Sequence, residues 1–280
     1  MNEEQIQKFK DTLEETEKLY NDRKLDEAQK LVSDFIDTFT DDFPVKEDDE
    51  YLYFDFKTAI EEAIYVNEEL PKKKMRPIGV PVSNVYVISG SIALEQGDYS
   101  TALERLEEAM DWNPISPDIA FEYAEAVRMM GSLDQYLDLT KRIFPHIYMG
   151  VQMAQAYRNI AYYYEQKGEK RKAIESLLYS LIYDENNKDV ENEINEISEG
   201  LSEEEKTINM AEFPDICKND GIPFGPDQLV LKIAYASARH FEKVEPDPRK
   251  SYYYYYIMYE LTRDDKMKEK AEQQRKRAQH

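Results

Sequence analysis

The sequence predicts an all-α fold built as a stack of antiparallel helix pairs, and three observations carry that prediction. Apolar residues recur at helical spacing, and no long alternating run that would form a strand occurs. Gly and Pro are scarce, 9 and 12 of 280 residues, so few positions interrupt a helix. Residues 83–116 read SNVYVISGSIALEQGDYSTALERLEEAMDWNPIS. They place Gly90, Ala93, Gly97, Ala102, Leu106, Ala109 and Pro114 where a two-helix unit of about 34 residues needs small, small, turn, small, large, small and stop residues. One such pair cannot bury its apolar face alone, so copies must stack.

The segment resembles a tetratricopeptide repeat (TPR). Tyr86 takes the early aromatic position, Gly90 the small position that lets the paired helix approach, and Gly97–Tyr99 the turn between helices. A step of about 34 residues reaches Pro117–Gly150, where Ala124 and Gly131 keep the pattern and Tyr136 replaces the expected small residue. A further copy, offset by three residues, runs from Ala154 to Asn187 with Tyr157, Ile160, Ala161, Tyr164, Gly168, Ala173, Leu177 and Ser180 in order. The resemblance implies a TPR-like right-handed α-α superhelix, a solenoid of antiparallel helix pairs.

The flanks read as divergent helical pairs. Ile6, Phe9, Leu13 and Leu19 give residues 3–20 one apolar face, and residues 24–39 continue the pattern. Residues 40–50 break it with Pro44 and a cluster of acids. Residues 51–69 are expected to form another helix. Pro71, Pro77, Gly79 and Pro81 then make residues 71–82 a connector, with Ser83 expected to cap the helix that follows. After Asn187, helices are expected over 188–198, 203–219 and 228–243, with Asn219–Asp227 a loop. The run from Ser251 to Asp265 is expected to cap the stack by packing Tyr252, Tyr255 and Tyr259 on the helix 228–243. The organisation is thus residues 1–70, divergent pairs; 71–82, basic connector; 83–187, three repeats; and 188–280, a helical cap.

Composition narrows function. A formal charge of −22 argues against a broad nucleic-acid surface and against anionic lipid, since either needs a cationic face. No apolar run is long enough to span a bilayer, and MNEEQIQKFK lacks an apolar signal core, so a cytoplasmic location is expected. Cys217 is the only cysteine, which excludes an intrachain disulfide and a multi-cysteine zinc site. The acids of residues 40–50 lack the spacing of a calcium loop. His146, His240 and His280 have no partners in catalytic spacing, and no phosphate loop, nucleophile elbow or HExxH occurs. The expectation is therefore no metal, no cofactor and no enzymatic activity.

A binding site is the stronger expectation. In the resembled family the first helices line a concave groove. The corresponding residues here include Asn84, Val87 and Ser91, then Phe121, Glu125 and Arg128, then Arg158, Asn159 and Tyr162. Arg and Tyr favour contact with a peptide, and arginines in so acidic a chain favour an acidic segment. Lys72, Lys73, Lys74 and Arg76 would form a basic lip beside the groove. Family members that clamp chaperone tails carry a basic residue and Asn in their first copy. Val87 and Ser91 stand there instead, which argues against that ligand. The wider resemblance is to cytosolic TPR proteins of Gram-positive bacteria whose activity is unassigned, through RPIGVP, WNP, YRNIAYYYEQKG and IPFGP. The expected partner is a protein or peptide segment bound in the groove, with no assignment of oligomeric state. The alternatives are a peptide-responsive regulator acting on a protein, and an enzyme using scattered carboxylates. Residues 1–70 are too acidic for a DNA-binding helix-turn-helix.

Overall fold

The structure, a computed structural model, describes residues 3–42, 46–202 and 208–279, with side chains 39–42 excepted. Pro44, residues 203–207 of the expected 203–219 helix, and His280 lie outside the described residues. The chain divides into two compact units, Met1–Ser132 and Leu133–His280.

The first unit opens with α1 (Glu3–Asn21) and α2 (Leu25–Asp42), joined by a turn in which Arg23 takes a left-handed conformation (φ 61°). After β1 (Tyr51–Phe54), α3 (Ala59–Glu69) and β2 (Lys74–Pro77) come α4 (Val82–Glu95), α5 (Tyr99–Trp112) and α6 (Pro117–Met129). Helices α4 and α5 pack as an antiparallel pair, and α2 packs on α4. Phe9, Ala28, Val32, Phe35 and Ile36 thereby join Val85, Tyr86, Ile92 and Trp112 in one core. Burial of that core is the main stabilising term here. The N-terminal hairpin therefore stacks on the first clear repeat, although residues 43–81 separate them in sequence.

That insertion departs from the expected helix 51–69 and from an unstructured connector. Tyr51–Phe54 pair in parallel with Lys74–Pro77, and α3 is the crossover between them. The reason is local: Tyr51, Tyr53 and Phe54 have high strand propensity, and the Thr58 hydroxyl caps α3 by accepting from Glu61 N–H. Ser83 is not a cap either. It sits in the first turn of α4, and Asp55 caps that turn from outside by accepting from Ser83 N–H (2.8 Å) and Ser83 Oγ (2.7 Å). Burial raises the Asp55 carboxyl, and these two bonds oppose the rise.

The second unit contains α7 (Leu133–Ile143), a 3₁₀ turn at Phe144–His146, α8 (Gly150–Gln166) and α9 (Lys170–Tyr183). There follow α10 (Lys188–Ser198), α11 (Phe213–Asn219), α12 (Gln228–Lys243), α13 (Pro248–Thr262) and α14 (Asp265–Arg277). Three of the inter-helix turns, at Gly97, Gly131 and Gly168, hold glycine at φ 77°, 79° and 78°, a conformation that a Cβ disfavours. No strand occurs over residues 83–187.

The α8–α9 pair is held by an aromatic cluster. Tyr157 is fully buried and lies within 6.0 Å, centroid to centroid, of Phe144, Tyr179, Tyr183 and Phe213. The IPFGP loop closes on it: Gly225 N–H donates to Tyr157 Oη at 3.0 Å. The C-terminal run does pack on α12, through different tyrosines from those expected. Tyr254 stacks on Phe241 at 6.0 Å, and Tyr255 donates to Glu242 at 2.8 Å. Tyr252 instead stacks on Tyr256 of its own helix, and Tyr259 carries Arg263 and Lys268 over its ring. Tyr252, Tyr255 and Tyr259 share one face of α13, but the buried face runs through Ser251, Tyr254, Tyr255, Ile257 and Leu261, so of the three only Tyr255 lies on it.

Candidate functional site

In the first unit, α4 contacts both α1 and α6. The α1–α4 seam is polar: Arg23 Nη1 pairs with Glu95 at 2.7 Å, and Tyr20 Oη donates to the same carboxylate. Burial and Glu95 together push the Tyr20 hydroxyl up to about 12. On the α4–α6 seam, Ser91 Oγ donates to Glu122 Oε2 at 3.4 Å. Burial raises the Glu122 carboxyl, and that hydroxyl opposes the rise.

Around these seams lie the residues expected in a groove. Asn84, Val87, Ser91, Phe121, Glu125 and Arg128 are each half-buried. Val87 packs against both cores of the unit, so its apolar surface is largely structural. Arg128 is paired within its own helix, its Nε donating to Glu125 Oε2 at 2.6 Å and its Nη2 to the other oxygen. Glu122 falls on a groove position of the second copy, whereas Glu95 was not singled out in the sequence and only its helix neighbours reveal it.

The second unit treats its predicted residues differently. Asn159 is 4% exposed, its Nδ2 donating to Thr140 Oγ1 (3.3 Å) and its Oδ1 accepting from Gln155 (2.7 Å). It is a packing residue and is not displayed for a ligand, because α7 packs against α8 where the expectation left an open face. Arg158 is half-buried and paired with Asp184 (3.0 Å), with Gln155 accepting from its Nη2 (2.9 Å). Tyr162 stands edge-on to Tyr136 at 5.8 Å, so the large residue in the degenerate copy fills space beside it.

The basic lip is largely neutralised by its neighbours. Lys73 pairs with Glu47 (3.2 Å) and Lys74 with Glu50 (2.6 Å), while Arg76 lies over the Tyr51 ring at 5.5 Å. Lys72 is exposed. Cys217 is fully buried in the second unit, and burial pushes its thiol up to about 12, so it holds its proton at neutral pH and is a poor nucleophile. Among the described residues no group of three or more His, Cys, Asp or Glu is placed to hold a metal ion, and no helix is long and apolar enough to cross a membrane.

Residues 93–142, with glycine turns at Gly97 and Gly131, match the tetratricopeptide repeat family. That match supports reading this segment as tetratricopeptide repeat structure. Repeats of this family typically serve as non-enzymatic scaffolds for protein–protein interaction. No curated protein matches this chain.

Proposed function

We propose that this protein is a non-enzymatic scaffold that holds a segment of a partner protein on the face formed by α1, α4 and α6. The contact of α4 with both α1 and α6 carries this reading, because it makes three helices of the first unit adjoin. Half-buried Phe121 then shares α6 with half-buried Glu122 and Glu125, and Ser91 of α4 is hydrogen-bonded to Glu122. Such a mixture of apolar area and a few directed polar groups suits peptide recognition. An acidic segment would have to displace Glu125 from Arg128 there, and Asp184 from Arg158 in the second unit.

Hydrogen exchange on the full chain with a captured partner tests the reading. Protection is expected on α4 and α6, and Phe121→Ala should weaken the complex by more than about tenfold, as loss of an aromatic anchor does. Protection confined to other helices, with unchanged affinity in that variant, would move the binding face elsewhere.

A further inference from the structure

The small sheet of the first unit has one edge paired and one edge open. Beside β1, Tyr53 N–H donates to Lys46 O (2.9 Å), Asp48 N–H donates to Tyr51 O (3.0 Å), and Glu47 bridges Leu52. Beside β2 no further strand lies among the described residues. Lys74 N–H donates to Glu50 O (3.1 Å) and Ile78 N–H to Phe54 O (3.0 Å), so residues 74, 76 and 78 direct their main chain to β1. Met75 and Pro77 therefore turn theirs outward. Met75 offers an N–H and a carbonyl; Pro77 offers a carbonyl alone. An open edge of this kind templates pairing with another extended segment.

The two faces beside that edge differ in chemistry. The register pairs Leu52 with Met75 and Phe54 with Pro77 on one face, and Tyr51 with Lys74 and Tyr53 with Arg76 on the other. On the first face Phe54, Phe56, Met75 and Pro77 line a cleft of about 200 Å³. On the second, Lys74 and Arg76 lie over the Tyr51 ring at 5.7 and 5.5 Å. Lys57, Lys72 and Arg76 are exposed and have no carboxylate within ion-pair distance among the described residues. Lys57 and Arg76 also line the cleft, with Glu62 between them in its lining, so the cations there outnumber the acids in a chain of net charge −22.

We propose that the outer edge of β2 accepts a third strand, an extended partner segment in which acidic and apolar residues alternate. An added strand sends successive side chains to opposite faces, so its apolar residues enter the Phe54–Phe56 cleft while its acidic residues meet Arg76 and compete with Glu50 for Lys74. A second copy of this chain fits the edge poorly, because two such edges would set Lys74 and Arg76 against like charges. The surface is separate from the α1–α4–α6 face, and each stands or falls by its own variants.

The experiment is fluorescence anisotropy on the full chain with a labelled peptide alternating Glu and Val. A scrambled peptide of the same composition and a Lys–Val peptide serve as comparisons. The alternating acidic peptide should bind more than about tenfold tighter than either, and added salt should weaken it. Arg76→Glu should weaken it by about tenfold or more, whereas Phe121→Ala on the helix face should leave it unchanged. Met75→Pro removes the outward N–H without touching the β1–β2 ladder and should also weaken binding. Peptides N-methylated at alternate amides, in either register, probe the same pairing without altering the protein, and one of the two should fail to bind. Equal affinity for alternating and scrambled peptides, absence of binding, or full binding by Arg76→Glu or by both N-methylated peptides overturns the proposal.

Discussion

Gly90 lies against the partner helix: a Cβ built there would fall 2.8 Å from Leu106 Cγ and 3.3 Å from the Ala102 carbonyl oxygen. Leu106 and Ala102 are both fully buried, and a main-chain oxygen cannot swing aside. Gly90→Ala gains about 1 kcal/mol of helix propensity but overpacks the crossing at about 1–3 kcal/mol, so a lower melting temperature is expected. Ala102→Leu and Ala161→Leu insert larger groups at fully buried positions and should also cost roughly 1–3 kcal/mol each. Unchanged melting in all three would contradict close helix contact. Glu122 gives a test of opposite sign. Burial raises its carboxyl above the usual range, so its ionised form weakens the fold at neutral pH. That penalty disappears as pH falls through the raised folded value towards the unfolded one. Glu122→Gln retains an acceptor for Ser91 and should raise the urea midpoint at neutral pH, with the gain shrinking in acid. A lowered midpoint at neutral pH would show that the charge is stabilising.

At the scale of elements, α12 and α13 depend on each other. Tyr254 and Tyr255 reach Phe241 and Glu242, and Ser251 Oγ donates to the Ala238 carbonyl at 3.0 Å. Arg263 Nη2 donates to the Tyr183 carbonyl at 2.7 Å, tying the end of α13 to the end of α9. Truncation after Glu245 uncovers Val230, Ala234 and Ala238, all fully buried in the intact chain. The truncated protein is expected to aggregate, as newly exposed apolar patches do. A monomeric truncation that melts cooperatively at the parent temperature, followed by light scattering and circular dichroism, would make the tail dispensable.

For the whole molecule, several acidic groups are held protonated by burial. Cys217 rises from 9.0 to about 12, and Tyr20, Tyr123 and Tyr255 rise from 10.0 to about 12. Each folded value lies above its unfolded one, so the folded chain holds protons that the unfolded chain releases. The associated stability is complete below the unfolded values and is lost as pH climbs from 9.0 towards about 12. Urea midpoints should therefore fall steadily across that window, and a flat profile would count against the burial of these hydroxyls and of the thiol. Compactness divides the chain at Ser132 and Leu133, whereas the repeat register divides it at residues 70, 82 and 187. The two divisions answer different questions, one about contacts and one about periodicity.

The sequence by itself determined the helical class and the repeat. Small residues at Gly90, Ala102 and Ala161 and turn glycines at Gly97, Gly131 and Gly168 are local requirements, and a local requirement leaves a mark at a fixed spacing. Helices 188–198 and 228–243 were legible from the breaks that flank them, and the structure adds Asn187 and Asp227 as their caps. Tertiary structure alone decided the rest. The strand propensity of Tyr51–Phe54 was realised only because Lys74–Pro77 pairs with it, and Asp55 became the cap of α4 although Ser83 stood in place. Arg158 and Asn159 were drawn inward by Asp184 and Thr140, which no periodicity connects to them. Whether a polar side chain faces a ligand or a neighbour depends on which distant segment packs beside it, and that is fixed by burial of the whole core.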